Sequence, residues 1–248
     1  MDTSVIDAIK RWPNVPAAWG WLSLTCRGEW RLHPLGDAAE GGPGESITNE
    51  QITGFINRNY LGDNQGQWLF QNGPQKVYVR LDSTPYILRT VFGGGRSKPM
   101  PTQPVAQQHD QKSDNHHVGQ EVGHRLPSSQ VSTTHLVTHN GLAIKSIDAW
   151  FVDQQGYAYA LTNLGMGRVD DRDLFALTTQ LQTPLNQSLD DLWPSLAFSD
   201  GLFETHHSLT LSGTYDPVLE QPRRLFVVDT VDTLARQYGF LRKPMSPA

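Results

Sequence analysis

Hydrophobic residues recur at helical spacing in four places, each behind a residue suited to cap a helix. Ser4 precedes Val5, Ala8, Ile9 and Trp12, and Pro13 ends the run. Thr48 with Gln51 forms a capping box ahead of Ile52, Phe55, Ile56 and Tyr60, closed by Gly62. A third helix is expected from Asp170 or Asp171, burying Leu174, Leu177 and Leu181, and a fourth after Asp229, with Val231, Leu234, Ala235 and Tyr238 ahead of Gly239. The acidic starts of these two complement the helix dipole.

Between the helices, aromatic and β-branched runs bounded by turn residues predict strands. Residues 67–71 and 76–81 flank Asn72-Gly73-Pro74-Gln75 as a hairpin, and a turn at 82–85 returns the chain into Tyr86-Ile87-Leu88 as the third strand of a meander. His135 to His139 and Leu142 to Ile144 surround Asn140-Gly141, a pair suited to a type I′ turn. Residues 149–152 and 157–161 surround Asp153-Gln154-Gln155-Gly156 as another hairpin. Trp68 and Trp150 each open a hairpin whose return strand carries a tyrosine and a leucine. A duplication would produce that pattern, and so would convergent packing. Residues 183–224 read as packed loops with a strand near Ser208 to Leu211.

Residues 93–134 break the periodicity: they are rich in Gly, Pro, Gln, Ser and His and hold no aromatic side chain, too little apolar surface to offset ordering the chain. The expectation is an α+β fold of two mainly antiparallel sheet-plus-helix parts, residues 1–92 and 135–248, joined by a disordered linker at 93–134.

A formal net charge of -5 and scattered Lys and Arg supply no electrostatic footprint for nucleic acid. Arg223-Arg224 and Arg242-Lys243 read as solvated loop ends. Cys26 is the single cysteine, which excludes an intrachain disulfide and a cysteine zinc site. No uncharged run approaches the ~18 residues of a membrane span, so a cytoplasmic protein is expected.

Candidate chemistry is sparse. His109, His116, His117 and His124 fall in the linker near Asp110 and Asp114, and imidazole with carboxylate can ligate a transition metal. Without a rigid frame, adventitious binding is the stronger reading. His135 and His139, four residues apart on one strand, would sit about 13 Å apart, too far to share a metal. Of His206-His207, one is expected partly buried and one exposed. Cys26 lies in an apolar setting that favours inert packing. Asp170-Asp171-Arg172-Asp173 is the densest acidic cluster, and helix capping explains it more cheaply than acid–base work. There is no Gly-x-Ser-x-Gly elbow or dinucleotide fingerprint, so no cofactor is expected. Trp68, Tyr78, Trp150 and Tyr159 are the candidate ligand- or partner-binding residues; core packing is the competing role.

The hairpin from Gly66 to Val79 running into Thr84-Pro85-Tyr86, and the stretch from Thr138-His139 through Ala149-Trp150 to Asp173, resemble a family of uncharacterised proteobacterial proteins known as a domain of unknown function. The resemblance covers about half the chain. It implies a bacterial origin and cytoplasmic solubility and brings no catalytic residues. The leading expectation is a non-enzymatic binding or accessory module for a protein or small ligand. The alternatives are an enzyme with dispersed residues from Asp170–Asp173 and His206 or His207, and a metal-handling protein using the linker histidines.

Overall fold

The structure is a computed structural model and describes residues 1–93, 133–214 and 216–246. Helix α1 (Thr3–Arg11) leads into a hairpin of β1 (Ala18–Leu24) and β2 (Trp30–Leu32). Short β3 (Glu45–Ser46) and helix α2 (Glu50–Arg58) follow, then the meander β4 (Tyr60–Gly62), β5 (Trp68–Asn72) and β6 (Gln75–Leu81). Next come the hairpin strands β7 (Tyr86–Gly93) and β8 (Thr133–Thr138), and the meander β9 (Ile147–Asp153), β10 (Ala158–Thr162) and β11 (Gly165–Val169). The chain closes with α3 (Asp171–Gln180), β12 (Leu181–Gln182), the single turn α4 (Leu189–Leu192), β13 (Leu202–Leu211), β14 (Arg223–Val228) and α5 (Val231–Tyr238).

The strands form two sheets, ordered β3-β2-β1-β6-β5-β4 and β12-β13-β14-β9-β10-β11-β7-β8. The class is α+β in two sheet-plus-helix parts, mainly antiparallel, with parallel junctions between β1 and β6, β7 and β11, and β9 and β14.

The two parts repeat one topology. In each, a hairpin is followed by a three-strand meander whose last strand lies parallel to the hairpin's first strand. The registers agree as well: Leu24 stands beside Leu81 and Leu88 beside Val169, and the next N–H, of Asp82 or Asp170, donates to the carbonyl of Leu24 or Leu88 over 2.9 Å. Arg80-Leu81-Asp82 thus corresponds to Arg168-Val169-Asp170. The repeat is one strand out of step with the pairing of Trp68 and Trp150. Trp68 lies on the second strand of its meander and Trp150 on the first, so the two do not correspond, and β4 is the counterpart of β9. Three-residue β4, pressed against the end of α2, conceals the offset in the sequence.

The strand at Tyr86 is not the third strand of the first meander. It leaves for the second sheet, and the passage between sheets falls at residues 82–85. Gly93 and Thr133 are partners in one antiparallel ladder, so the chain departs and returns at the same place and does not run from one sheet to the other there. Residues 94–132, most of the expected linker, lie outside the described residues.

Helices α1 and α5 start behind Asp2 and Thr230, not the expected Ser4 and Asp229, and neither residue makes a side-chain capping bond, whereas α2 and α3 are capped locally. Asn49 accepts from the N–H groups of Gln51 and Ile52, one position beyond the expected Thr48, and Asp170 accepts from Arg172 N–H. Helix α2 stops at Arg58 because the Tyr60 segment pairs with β5. Helix α5 ends on left-handed Gly239, φ 69°.

Among the described residues one turn occurs five times, at residues 25–29, 63–67, 138–142, 153–157 and 183–187. Its first residue is Asp or Thr, whose side-chain oxygen accepts from the N–H of the fifth residue. The fourth residue has positive φ and is glycine in four copies and Asn186 in the last. The Asn140-Gly141 pair sits inside this turn. Only its glycine has positive φ, which rules out the type I′ geometry.

A continuous core spans both sheets, with Trp150, Tyr159 and Phe151 its largest sealed side chains. At the seam, Tyr60 packs on Trp68 with ring centres 4.9 Å apart, Trp68 on Tyr86 at 5.2 Å, and Trp30 on Tyr60 at 5.1 Å.

Candidate functional site

The seam also carries a cleft. Beyond Gly239 the chain crosses onto the first part: Leu241 N–H donates to Gly66 O and Leu81 N–H to Arg242 O, both over 2.8 Å, and Met245 N–H donates to Gln67 Oε1. Between this tail, α5 and the end of β6 lies a cavity of about 680 Å³. Leu81, Ala235, Phe240 and Leu241 supply its apolar lining, and Arg80, Asp82, Asp232, Arg236, Arg242 and Lys243 its charges.

Arg80 donates through Nη1 to the carbonyls of Ala38 and Gly42, holding the loop after β2, and its Nη2 lies 2.8 Å from Asp82. Arg242 donates to Asp232 over 2.8 Å and to the Asp82 carbonyl over 2.7 Å. In both guanidinium groups Nε–H is buried without an acceptor among the described residues.

Asp82, Asp232 and Arg242 are shared with a second lobe of about 300 Å³, lined also by Asp153, Tyr157, Tyr159 and Arg168. There the Tyr159 hydroxyl donates to Asp153 over 2.8 Å, and the Arg168 guanidinium lies 3.7 Å above the Tyr157 ring. Burial pushes the Asp153 carboxyl up from the ordinary carboxylate range, against the hydrogen bonds it accepts. Burial likewise pushes the Tyr159 hydroxyl up.

Of the four aromatic candidates, Trp68 is half-buried in the seam cluster. Tyr78 is buried and stacks on Trp19 at 4.9 Å. Trp150 is 1% exposed and belongs to the core. Tyr159 is buried too, but its ring lines the second lobe. Tyr78 and Trp150 are therefore not surface aromatics. The hairpins are covered on both faces, so strand alternation leaves no outward row at these positions.

The acidic cluster is spent on structure. Asp170 caps α3 and pairs with Arg172 and Arg89, Asp171 pairs with Arg168, and Asp173 accepts from Thr90 N–H over 2.8 Å. His206 is exposed and His207 half-buried, both on β13, and neither lines either lobe. His135 is exposed on β8, whereas His139, just past its end, is buried against Trp30, Tyr60 and Tyr86. Burial, with Arg89 nearby, lowers His139 to about 3. Cys26 is half-buried in the β1–β2 turn, not sealed in the core. Arg223 and Arg224 lie within β14, not on a loop. His109, His116, His117 and His124 lie outside the described residues. Among the described residues, no group of three or more His, Cys, Asp or Glu could hold a metal ion.

Two arrangements escape sequence reading. The cleft is one, because its cations come from positions 80, 236, 242 and 243. The other is Ser23–His33–Asp37: Ser23 Oγ lies 2.8 Å from His33 Nε2, and His33 Nδ1 lies 3.1 Å from Asp37 Oδ1. This is the connectivity of a serine-hydrolase triad without its access. Ser23 and His33 are both 0% exposed, and a Cβ on Gly44 would come within 2.7 Å of His33 Nε2. The chain of bonds ties the loop after β2 to β1.

Residues 1–118 match a family model described as "Protein of unknown function (DUF2946)". The match takes in the first of the two hairpin stretches quoted for the resemblance, and Thr138 to Asp173 lie beyond it. The chain is also similar to the crystal structure of a DUF1285 family protein from Silicibacter pomeroyi DSS-3, at 13% identity over 92% of this chain and 90% of that one, with a TM-score of 0.40. No curated protein matches.

Proposed function

We propose that this chain is a binding module for a small ligand, and that the seam cleft is its site. The observation that carries the reading is an apolar-lined cavity of about 680 Å³ at the junction of two structural parts, rimmed by guanidinium groups. Ligand sites favour such junctions, and a few convergent polar groups over an apolar lining is their usual chemistry. Binding is favoured over catalysis because Asp170, Asp171 and Asp173 are committed to caps and ion pairs and the Ser23 hydroxyl is sealed. A cytoplasmic, bacterial setting belongs to the same proposal, resting on the single cysteine and the family resemblance; no described helix is long and apolar enough to cross a membrane.

The test is a thermal-shift screen of small molecules against the wild type and an Ala235→Trp variant, whose indole would fill the cleft. Compounds that raise the melting temperature of the wild type alone support the reading. A screen whose hits stabilise both proteins equally, or that finds no hits, overturns it.

A further inference from the structure

The cleft's charges do not cancel. Arg80 is matched by Asp82 and Arg242 by Asp232, each pair at 2.8 Å. Arg236 and Lys243 remain. Arg236 bonds only the Thr233 hydroxyl, and Lys243 makes no hydrogen bond or ion pair among the described residues. A cavity in a chain of formal charge -5 thus carries two cations in excess.

Two exposed cations alone would signify little. Arg236 sits in the last turn of α5, where the helix dipole favours a positive charge anyway. What distinguishes the site is conjunction. The excess charge borders an apolar wall of Leu81, Ala235 and Phe240, and a low-dielectric wall strengthens attraction for an anion at the rim. Arg80 and Arg242 line the same cleft.

Resting on the reading of the cleft as a ligand site, the geometry points to an amphipathic organic anion as its occupant. The anionic head, a carboxylate or a phosphate monoester, would be held by Arg236 and Lys243, and the apolar chain or ring would lie against Ala235 and Phe240. Arginine and lysine bind either head, arginine through a bidentate fork and lysine as a point charge.

Matched probes test this on the full-length protein by calorimetry: octanoate, octyl phosphate and 1-octanol as an alkyl series, 2-naphthoate and 2-naphthylmethanol as an aryl series, and inorganic phosphate alone. The expected result is that the anion of at least one series binds about tenfold or more tighter than its neutral counterpart. An Arg236→Gln/Lys243→Gln variant removes that advantage without altering the neutral probe, and Ala235→Trp abolishes binding of both. The relative strength of octanoate and octyl phosphate then identifies the preferred head. If neutral and anionic members bind equally, the cleft reading stands and the anion is overturned. Inorganic phosphate binding as tightly as the organic anions overturns the amphipathic ligand. If no probe binds, or if Ala235→Trp binds all probes as the wild type does, the cleft reading falls and the anion with it.

Discussion

The hydroxyl of Tyr159 donates to the carboxylate of Asp153 over 2.8 Å inside the protein, where Asp153 also receives the N–H groups of Gln155 and Tyr157. In the first part the aspartate of the same turn, Asp63, meets a tyrosine from a different strand of the meander, Tyr78 on β6, over the longer distance of 3.4 Å. Tyr159→Phe leaves a buried acceptor unpaired and is expected to cost about 1–3 kcal/mol, whereas Tyr78→Phe should cost less than ~1. Burial already holds Asp153 above its unfolded value, and losing the hydroxyl raises it further. Between the unfolded and folded values the folded state binds more protons, so stability falls as pH rises. The Tyr159→Phe penalty should therefore grow from pH 4 to pH 7, which urea denaturation at both pH values would detect.

Gly66 and Gly156 occupy the same turn position, with φ 78° and 90°. A Cβ at Gly156 meets nothing within 4 Å, but one at Gly66 would stand 2.3 Å from the Gly239 carbonyl oxygen at the seam. Gly156→Ala should cost about 1–2 kcal/mol for the left-handed backbone alone. Gly66→Ala should cost clearly more and weaken the docking of the C-terminal tail, seen as faster amide exchange at Leu241.

His139 makes acid a destabilising condition. With its folded value near 3, the folded state binds fewer protons than the unfolded state between pH 3 and about 6.5. Stability is therefore present above pH 6.5 and is lost as pH falls, at up to about 1.4 kcal/mol per unit. His139→Phe should flatten the pH dependence of the denaturation midpoint between pH 5 and 6.5. An unchanged slope would show that other groups govern it.

Because Gly93 pairs with Thr133, replacing residues 94–132 by a short turn should leave both sheets intact. Shorter loop closure is expected to add about 2 kcal/mol of stability. Loss of cooperative unfolding in the shortened protein would contradict this.

Ser23→Ala strands a ring nitrogen of buried His33 and should cost about 1–3 kcal/mol. Because the Oγ is sealed, the folded wild type should resist a fluorophosphonate that labels accessible serine nucleophiles. Stoichiometric labelling at Ser23 would show its hydroxyl to be accessible and nucleophilic.

What the sequence determined by itself was local. The approximate places of four helices, the Gly73 and Gly156 hairpin turns and the capping role of Asp170 are legible because each depends on residues within one or two turns of chain; the caps expected at Ser4, Thr48 and Asp229 fall instead at Asp2, Asn49 and Thr230. The tertiary structure decided the rest. It moved Tyr86–Gly93 into the second sheet, placed Trp150 and Tyr78 in the core, and gathered Arg80, Arg236, Arg242 and Lys243 around one cleft. These outcomes depend on which strands pair across long separations and which faces are covered twice. A period-two pattern records that side chains alternate, not what lies on either side. The cleft was illegible for the same reason: its cations become neighbours only when the C-terminal tail hydrogen-bonds to Gly66 and Leu81 and closes the seam.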